Sequence, residues 1–446
     1  MQTQLSLYEV TYITSFTMKK VTAIVIGAGQ RGYSYSQYAN DFPDKLQIVG
    51  VAEPRTFYRE RLVKEYNLPD DNVFISWENV AAREKFADCV FVTTQDQMHK
   101  EPAIAFAKRG YHILLEKPMA ITYNDCCQIV KVCEENKVIL GVCHVLRYSP
   151  QARTIRRLIE SGAIGDVVNI QHLEPVGFWH FAHSFVRGNW RNVAESTFSL
   201  LAKCCHDIDL IEYWMGAKKC LAISSMGSLK HFTHENKPEK AADRCLDCTI
   251  NDTCPYSATR IYLDLVKQGY KGFPVNVISP VLDIESVTDV LKTGPYGRCV
   301  YDCDNDVMDN QVVLMQYEGG ASCTLSMVAF TEKICARQTR VFGTKGELTC
   351  DFDTTIVRQF DFVKGDVVIH DTKDDIRSAS NSRLQTHGGA DFFAMKAFVD
   401  AVSMNEPNLI LTGPKESLQS HYLCFVAEKA RIEKCVLDLN DHFTVD

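Results

Sequence analysis

Three glycines in "IVIGAGQRG" (24–32), a carboxylate in "VGVAEP" and a lysine in "LLEKPMA" (114–120) are of types and spacings that bind and activate small molecules. In G-x-G-x-x-G, Gly27 suits the tight turn that ends a strand. Gly29 lets backbone N–H groups approach a diphosphate, and Gly32 lets the following helix pack closely. The positive end of that helix then faces the phosphates. Glu53 stands about 20 residues further on, where a carboxylate accepts hydrogen bonds from both ribose hydroxyls of an adenosine and repels a 2′-phosphate. The expected cofactor is therefore NAD, with Arg55 nearby keeping NADP open. Lys117, in the triplet Glu116-Lys117-Pro118, can hydrogen-bond a reacting hydroxyl or polarise a carbonyl. A solvated turn is the plainer use of such a triplet.

These groups need rigid supports, and the chain supplies them in alternation. "VTAIVIGAG", "LQIVGVAEP", "ADCVFVTT", "YHILLEKP" and "KVILGVCH" read as buried parallel strands, with helical segments such as "RTFYRERLVKEYN" and "TYNDCCQIVKVCEEN" between them. Alternating strands and helices imply a doubly wound Rossmann sheet, whose carboxyl edge lines the ligand crevice. The reading divides the chain into an extension over 1–17, a dinucleotide-binding domain over 18–146 and a C-terminal α/β domain over 147–446. In the last, "QVVLMQYEGGASCTLSMVAF" (311–330), "RVFGTKGELTCDF" (340–352) and "VRQFDFVKGDVVIHD" (357–371) read as successive hairpins, hence a mostly antiparallel sheet.

The segment 167–192 carries three histidines, two tryptophans and two arginines, a surface suited to stacking on sugar rings and bonding their hydroxyls. His180, His183, Arg187 and Trp190 are its candidate substrate residues; an ordered surface loop is the plainer alternative. An insertion over about 228–275 holds C-x₂-C-x₅-C, with Cys245, Cys248 and Cys254 spaced to share a structural zinc if a fourth ligand comes from elsewhere. The alternative is a loop of partly buried thiols.

"GAGQRG", "TTQDQMH", "EKP", "HVLRYSP", "SGAIGDVVNI" and "CCHDIDLIEYW" stand in the order and spacing of the Gfo/Idh/MocA oxidoreductases, and the sequence resembles that family from Val21 to near its end. The resemblance implies a Rossmann domain followed by an α/β domain, NAD(P)-dependent hydride transfer at a carbon of a sugar, cyclitol or related polyol, and a homo-oligomer formed through the C-terminal sheet. It implies that Gly27, Gly29, Gln30, Arg31, Gly32 and Glu53 hold the adenosine and diphosphate, and that Thr94, Asp96, His99 and Glu116 lie towards the nicotinamide ribose. Lys117 matches the active-site lysine, His206 the acid/base histidine, and Arg147 joins the substrate residues. Two positions depart from the pattern: Gln95 replaces a proline, and Ala202 replaces an aspartate one helical turn before His206. Lys203 then becomes a candidate helper beside His206, since spacings of three and four share a helical face. Asp209 and Glu212 are candidate carboxylates for orienting the His206 ring.

The remaining composition narrows the class. The chain has 446 residues, 46% hydrophobic and 23% charged, with a net charge of −8 and no basic runs, which argues against nucleic acid or an anionic membrane surface as partner. The first 17 residues lack a basic start and an apolar run, so a cytoplasmic protein with reduced thiols is expected. Beside a dehydrogenase, two other functions fit: an NAD-dependent glycoside hydrolase working by transient oxidation and elimination, and a non-catalytic nucleotide-binding protein.

Overall fold

The computed structural model describes residues 19–439, so the expected extension over 1–17 lies outside the described residues. The first sheet comprises β1 (Val21–Ile26), β2 (Leu46–Ala52), β3 (Val73–Phe74), β4 (Cys89–Val92), β5 (His112–Leu115) and β6 (Leu140–Val142). Its order is β3-β2-β1-β4-β5-β6 and every pair is parallel, the doubly wound arrangement that alternating strands and helices predict. β4 is buried along its whole length and β1 nearly so, because helices cover both faces of the sheet. The strand order reverses between β1 and β4, which opens a crevice beyond their carboxyl ends.

The second sheet has nine strands: β7 (Val167–Pro175), β8 (Cys220–Ser228), β9 (Asn310–Tyr317), β10 (Ser322–Val328), β11 (Gln338–Gly343), β12 (Gly346–Asp351), β13 (Ile356–Asp361), β14 (Asp366–Asp371) and β15 (Val436–Asp438). They run in the order β14-β13-β12-β11-β7-β10-β9-β8-β15, antiparallel except for the β7–β10 pair. The three hairpins read from the sequence are present as β9–β10, β11–β12 and β13–β14, and in the first buried residues alternate with exposed ones along β9 and with half-buried ones along β10. One face packs on the helices Ser199–Met215 and Pro414–Glu433; the other is open. On the open face Val312 and Leu314 of β9 lie beside Met226 of β8, all exposed, and a concavity of about 690 Å³ runs over Gln171, Thr324, Arg340, Thr349 and Arg358.

The Ser199–Met215 helix is almost wholly buried between the domains, and its Trp214 is sealed. The helix Ala390–Met404, distant in sequence, packs into the same apolar cluster as β1 and β2. No described helix is long and apolar enough to cross a membrane.

Candidate active site

The cradle is built by backbone. Gly27 ends β1 at φ +90°, and a Cβ there would stand 2.8 Å from the Thr93 carbonyl oxygen. A Cβ on Gly32 would come within 2.0 Å of the Gly27 carbonyl oxygen, so both positions require glycine. The Gln30–Asp41 helix starts at Gly29 with no side chain capping its first turn, which leaves its N–H groups directed at the loop. At the tip of β2, Glu53 is 2% exposed and its carboxylate accepts from the Ala28 amide at 2.9 Å and from Arg55 Nε at 2.7 Å. Burial alone would raise this carboxyl, but Arg55 and the Ala28 amide hold it below its ordinary value. A turn sealed against any Cβ, an open helix end and an ionised carboxylate at the second strand tip together fit a dinucleotide.

Gln30 Nε2 reaches the Asn276 carbonyl at 3.1 Å, so the cradle touches the segment that follows the insertion. Arg31 turns inward instead of standing free at the loop. Its Nε donates to Glu116 Oε1 at 2.6 Å and its guanidinium bridges to Asp391 at 2.9 Å. Glu116 is spent on Arg31, Tyr35 and the Lys117 amide. Thr94 Oγ1 donates to the Met98 carbonyl. His99 is fully buried with its nitrogens facing the Pro118 and Thr94 carbonyls at 2.8 and 3.1 Å, where it ties two strand-end loops together. Asp96 accepts from Trp190 Nε1 at 2.9 Å and Ser196 Oγ at 2.7 Å, which brings Trp190 from the second domain to the crevice.

Lys117 follows β5 and crosses to the second domain: its Nζ donates to the Ala202 carbonyl at 2.6 Å. That is one turn before His206 on the Ser199–Met215 helix. His206 is 5% exposed, and its Nδ1 is buried with no protein hydrogen-bond partner among the described residues. Burial, then the charge of Lys117, pushes its imidazole well below the ordinary value, so it is neutral. Lys203 lies nearby but is engaged, with Nζ 2.8 Å from Cys335 Sγ and 3.4 Å from Glu174. Burial would lower its pKa; Cys335 and Glu174 more than reverse this, so it stays charged. His180 completes this wall, Nδ1 lying 3.8 Å from Cys335 Sγ.

Several expected groups stand elsewhere. Asp209 does not orient His206: it pairs with Arg147 at 2.6 Å, both buried. Glu212 accepts from Tyr317 at 2.6 Å. Arg147 thereby has its donors on Asp209 and the Leu411 carbonyl. His183 donates to or accepts from Tyr262 and stacks on Tyr296, its imidazole pushed down to about 3 by burial and then by Arg187. Arg187 is 1% exposed and bonds the Arg298 and Tyr256 carbonyls. Arg147, His183 and Arg187 are thus inside the protein, their polar atoms largely spent on protein partners; an ionic or aromatic residue pattern does not reveal burial.

The zinc expectation is not supported. Cys245, Cys248 and Cys254 line a small void together with Cys299, but among the described residues no three His, Cys, Asp or Glu side chains are grouped to hold a metal ion. Burial raises the Cys254 and Cys299 thiols, which keeps them protonated. All 18 cysteines are free.

Three further histidines frame the site and were not singled out by spacing. His144 lies between His206 and His421, ring centroids 5.7 and 5.1 Å away, and neither of its buried nitrogens meets a protein partner among the described residues. His387, in "THGGAD", stands 5.9 Å from the His206 ring with Nδ1 3.2 Å from Asp391 Oδ1. The two glycines after His387, before an apolar helix, were the available signal for a special turn.

Residues 21–144 match the model of an oxidoreductase family's NAD-binding Rossmann fold, and residues 156–421 match the model of the same family's C-terminal alpha/beta domain. The chain belongs to the Gfo/Idh/MocA oxidoreductases. Among curated relatives, it is 28% identical over 207 residues to the 2,7-anhydro-N-acetylneuraminate hydratase of Escherichia coli (46% of this chain, 53% of the relative). It is 26% identical over 209 residues to a scyllo-inositol 2-dehydrogenase (NADP(+)) of Bacillus subtilis (47% and 56%). The chain thus spans about half the length of the curated relatives it matches. The fold is shared with the WlbA dehydrogenase of Bordetella pertussis, solved with NADH and UDP-GlcNAcA, at a TM-score of 0.67, 15% identity and coverage of 96% and 99%. An Agrobacterium radiobacter oxidoreductase solved with NAD+, L-tartaric acid and magnesium gives 0.67 at 13% identity, with coverage of 95% and 100%.

Proposed function

We propose that this Gfo/Idh/MocA protein is an NAD-dependent dehydrogenase or reductase acting at a hydroxyl carbon of a sugar, cyclitol or related polyol. The observation that carries the reading is the reach of Lys117 from the cofactor-side strand end to Ala202, on the helix that bears His206. Cofactor cradle and proton-handling side chains therefore meet at one point. Bound nicotinamide supplies a two-electron acceptor for hydride. Lys117 Nζ is placed to bond the carbinol oxygen and stabilise negative charge as it develops there. His206, neutral and nearly sealed, lies one helical turn beyond Ala202, and His180 and Trp190 are the candidate contacts for the rest of the substrate. Glu53 supports NAD over NADP, because its ionised carboxylate would repel a 2′-phosphate.

The open face of the second sheet supports a dimer of this chain, since it presents Met226, Val312 and Leu314 to solvent. The free thiols favour a reducing, cytoplasmic setting. A second reading, transient oxidation followed by elimination and addition of water, is favoured by the hydratases among the relatives. Incubating the purified protein and NAD with free sugars, cyclitols and aryl glycosides, and following NADH and released aglycone together, separates the two. Accumulating NADH is the expected result; aglycone or hydrated product without net NADH would replace the first reading with the second.

A further inference from the structure

We propose that His387, backed by the Asp391 carboxylate, is a second catalytic histidine of this site and the group that takes the proton of the substrate hydroxyl. The inference rests on the dehydrogenase reading above and names the proton acceptor within it. A histidine base works through one nitrogen while the other holds a proton against an oriented acceptor. His206 lacks that acceptor. Its Nδ1 is buried without a protein partner, Ala202 stands where an aspartate would face it, and Asp207 and Asp209 are paired with Arg337 and Arg147. A proton on His206 would give a buried cation beside Lys117 with one N–H unsatisfied.

His387 has what His206 lacks. Its Nδ1 is 3.2 and 3.3 Å from the two oxygens of Asp391, a carboxylate that is itself fully buried. Asp391 is fixed by Arg31 Nη1 at 3.1 Å and Nη2 at 2.9 Å and accepts from Thr386 Oγ1. Arg31 in turn grips Glu116, the neighbour of Lys117, so the dyad is tied to the strand end that carries the lysine. The groups facing His387 are Asp391 and Thr386 from its own turn and helix, Arg31 behind Asp391, and His206 from the Ser199–Met215 helix. The side chain of His387 is 33% exposed, so Nε2 is left free for a ligand and an imidazolium there stays partly solvated. In the forward step the carbinol O–H bond breaks towards Nε2, the carbon's hydride leaves for the nicotinamide, and the C=O bond forms. The proton remains on an imidazolium held by Asp391; reduction reverses each transfer.

His387 sits at φ +53°, ψ 39°, a left-handed conformation that glycine adopts without strain, so His387→Gly keeps the turn. The expected result is a fall in kcat of about 10²-fold or more, loss of the acidic limb of the kcat–pH profile, and recovery of turnover with added imidazole. NAD affinity stays at the wild-type level. Full activity in His387→Gly, or an acidic limb that survives there and vanishes in His206→Gln, overturns the assignment. Histidine ¹⁵N NMR gives a readout independent of turnover: the signals missing in His387→Gly report Nδ1 protonated and Nε2 unprotonated in the neutral ring. A mixed tautomer at His387 overturns the dyad. Failure of wild-type protein to reduce NAD with any polyol would instead defeat the dehydrogenase reading, with the NMR result still deciding the dyad.

Discussion

Lys117 carries the heaviest chemical assignment on a single atom. Its Nζ bonds a backbone carbonyl of the second domain. Lys117→Ala should therefore cut kcat by about 10³-fold, the scale of losing one charge-stabilising donor, with NAD affinity close to wild type. Collapse of NAD binding in calorimetry would place the lysine in the cradle and sink the assignment. Glu53 is the converse case, a carboxylate at the tip of β2 held by the Ala28 amide and Arg55. Glu53→Gln keeps the volume and removes the charge that excludes a 2′-phosphate. The preference for NAD over NADP in kcat/KM should fall by about ten- to a hundredfold, and an unchanged ratio would mean that another group sets it. Both residues were legible because their place follows from backbone rules: a strand end and a fixed spacing from the glycine turn. His387 and Asp391 were not, because their meeting with Arg31 depends on a helix about 360 residues away in sequence. The burial of Arg147 and Arg187 escaped for the same reason: nothing local tells a guanidinium that binds substrate from one that ties carbonyls together inside the protein.

At the scale of elements, period and turn chemistry told most. Apolar runs of strand length between helical segments gave the parallel sheet, and two-residue alternation around glycine turns gave the hairpins. What alternation leaves open is which covering each face receives. In β9, Val313, Met315 and Tyr317 are buried against helices, while Val312 and Leu314 point outward, 40% and 51% exposed. The outward set therefore has apolar residues where a solvated face would carry polar ones, and the neighbouring Met226 on β8 extends the strip. If a second copy covers it, Leu314→Glu places a charge in the middle of the interface. A shift from dimer to monomer in light scattering is expected, with the monomer still folded because the site is exposed in the protomer, and with the unfolding temperature lowered by the lost association. A wild-type monomer, or a dimer unmoved by the charge, would assign this face to solvent or to another interface.

The whole molecule is held across its domain junction by buried polar groups, and these make its stability a function of pH. His144, His183 and His421 are buried with imidazoles pushed down to about 3, chiefly by desolvation, and His180 and His206 are likewise well below the ordinary value. For each, the unfolded chain binds a proton below about pH 6.5 that the native state refuses. Stability is therefore fully present above that pH and falls on acidification, by about 1.4 kcal/mol per pH unit for each group. Glu212 runs in the opposite sense: burial raises it to about 7, so between its ordinary value and 7 the native state holds a proton that the unfolded chain has lost, and its contribution weakens as pH rises. Asp209 is also raised by its burial, but the lowered imidazoles outnumber these two carboxyls and leave a net loss on acidification. Asp391, held ionised mainly by Arg31 against its burial, adds to the loss only once the pH falls below the ordinary carboxylate range. Urea unfolding at intervals from pH 7.5 to 4.5 should show a stability that drops steeply below about pH 6.5. His144→Leu removes one titrating group without stranding a protein partner, so its slope should be shallower by about 1.4 kcal/mol per pH unit. A flat profile in the parent would mean that these imidazoles take up protons in the folded state. The buried junction would then have to open to water well above the unfolding transition, and the neutral His206 assumed for the active site would go with it.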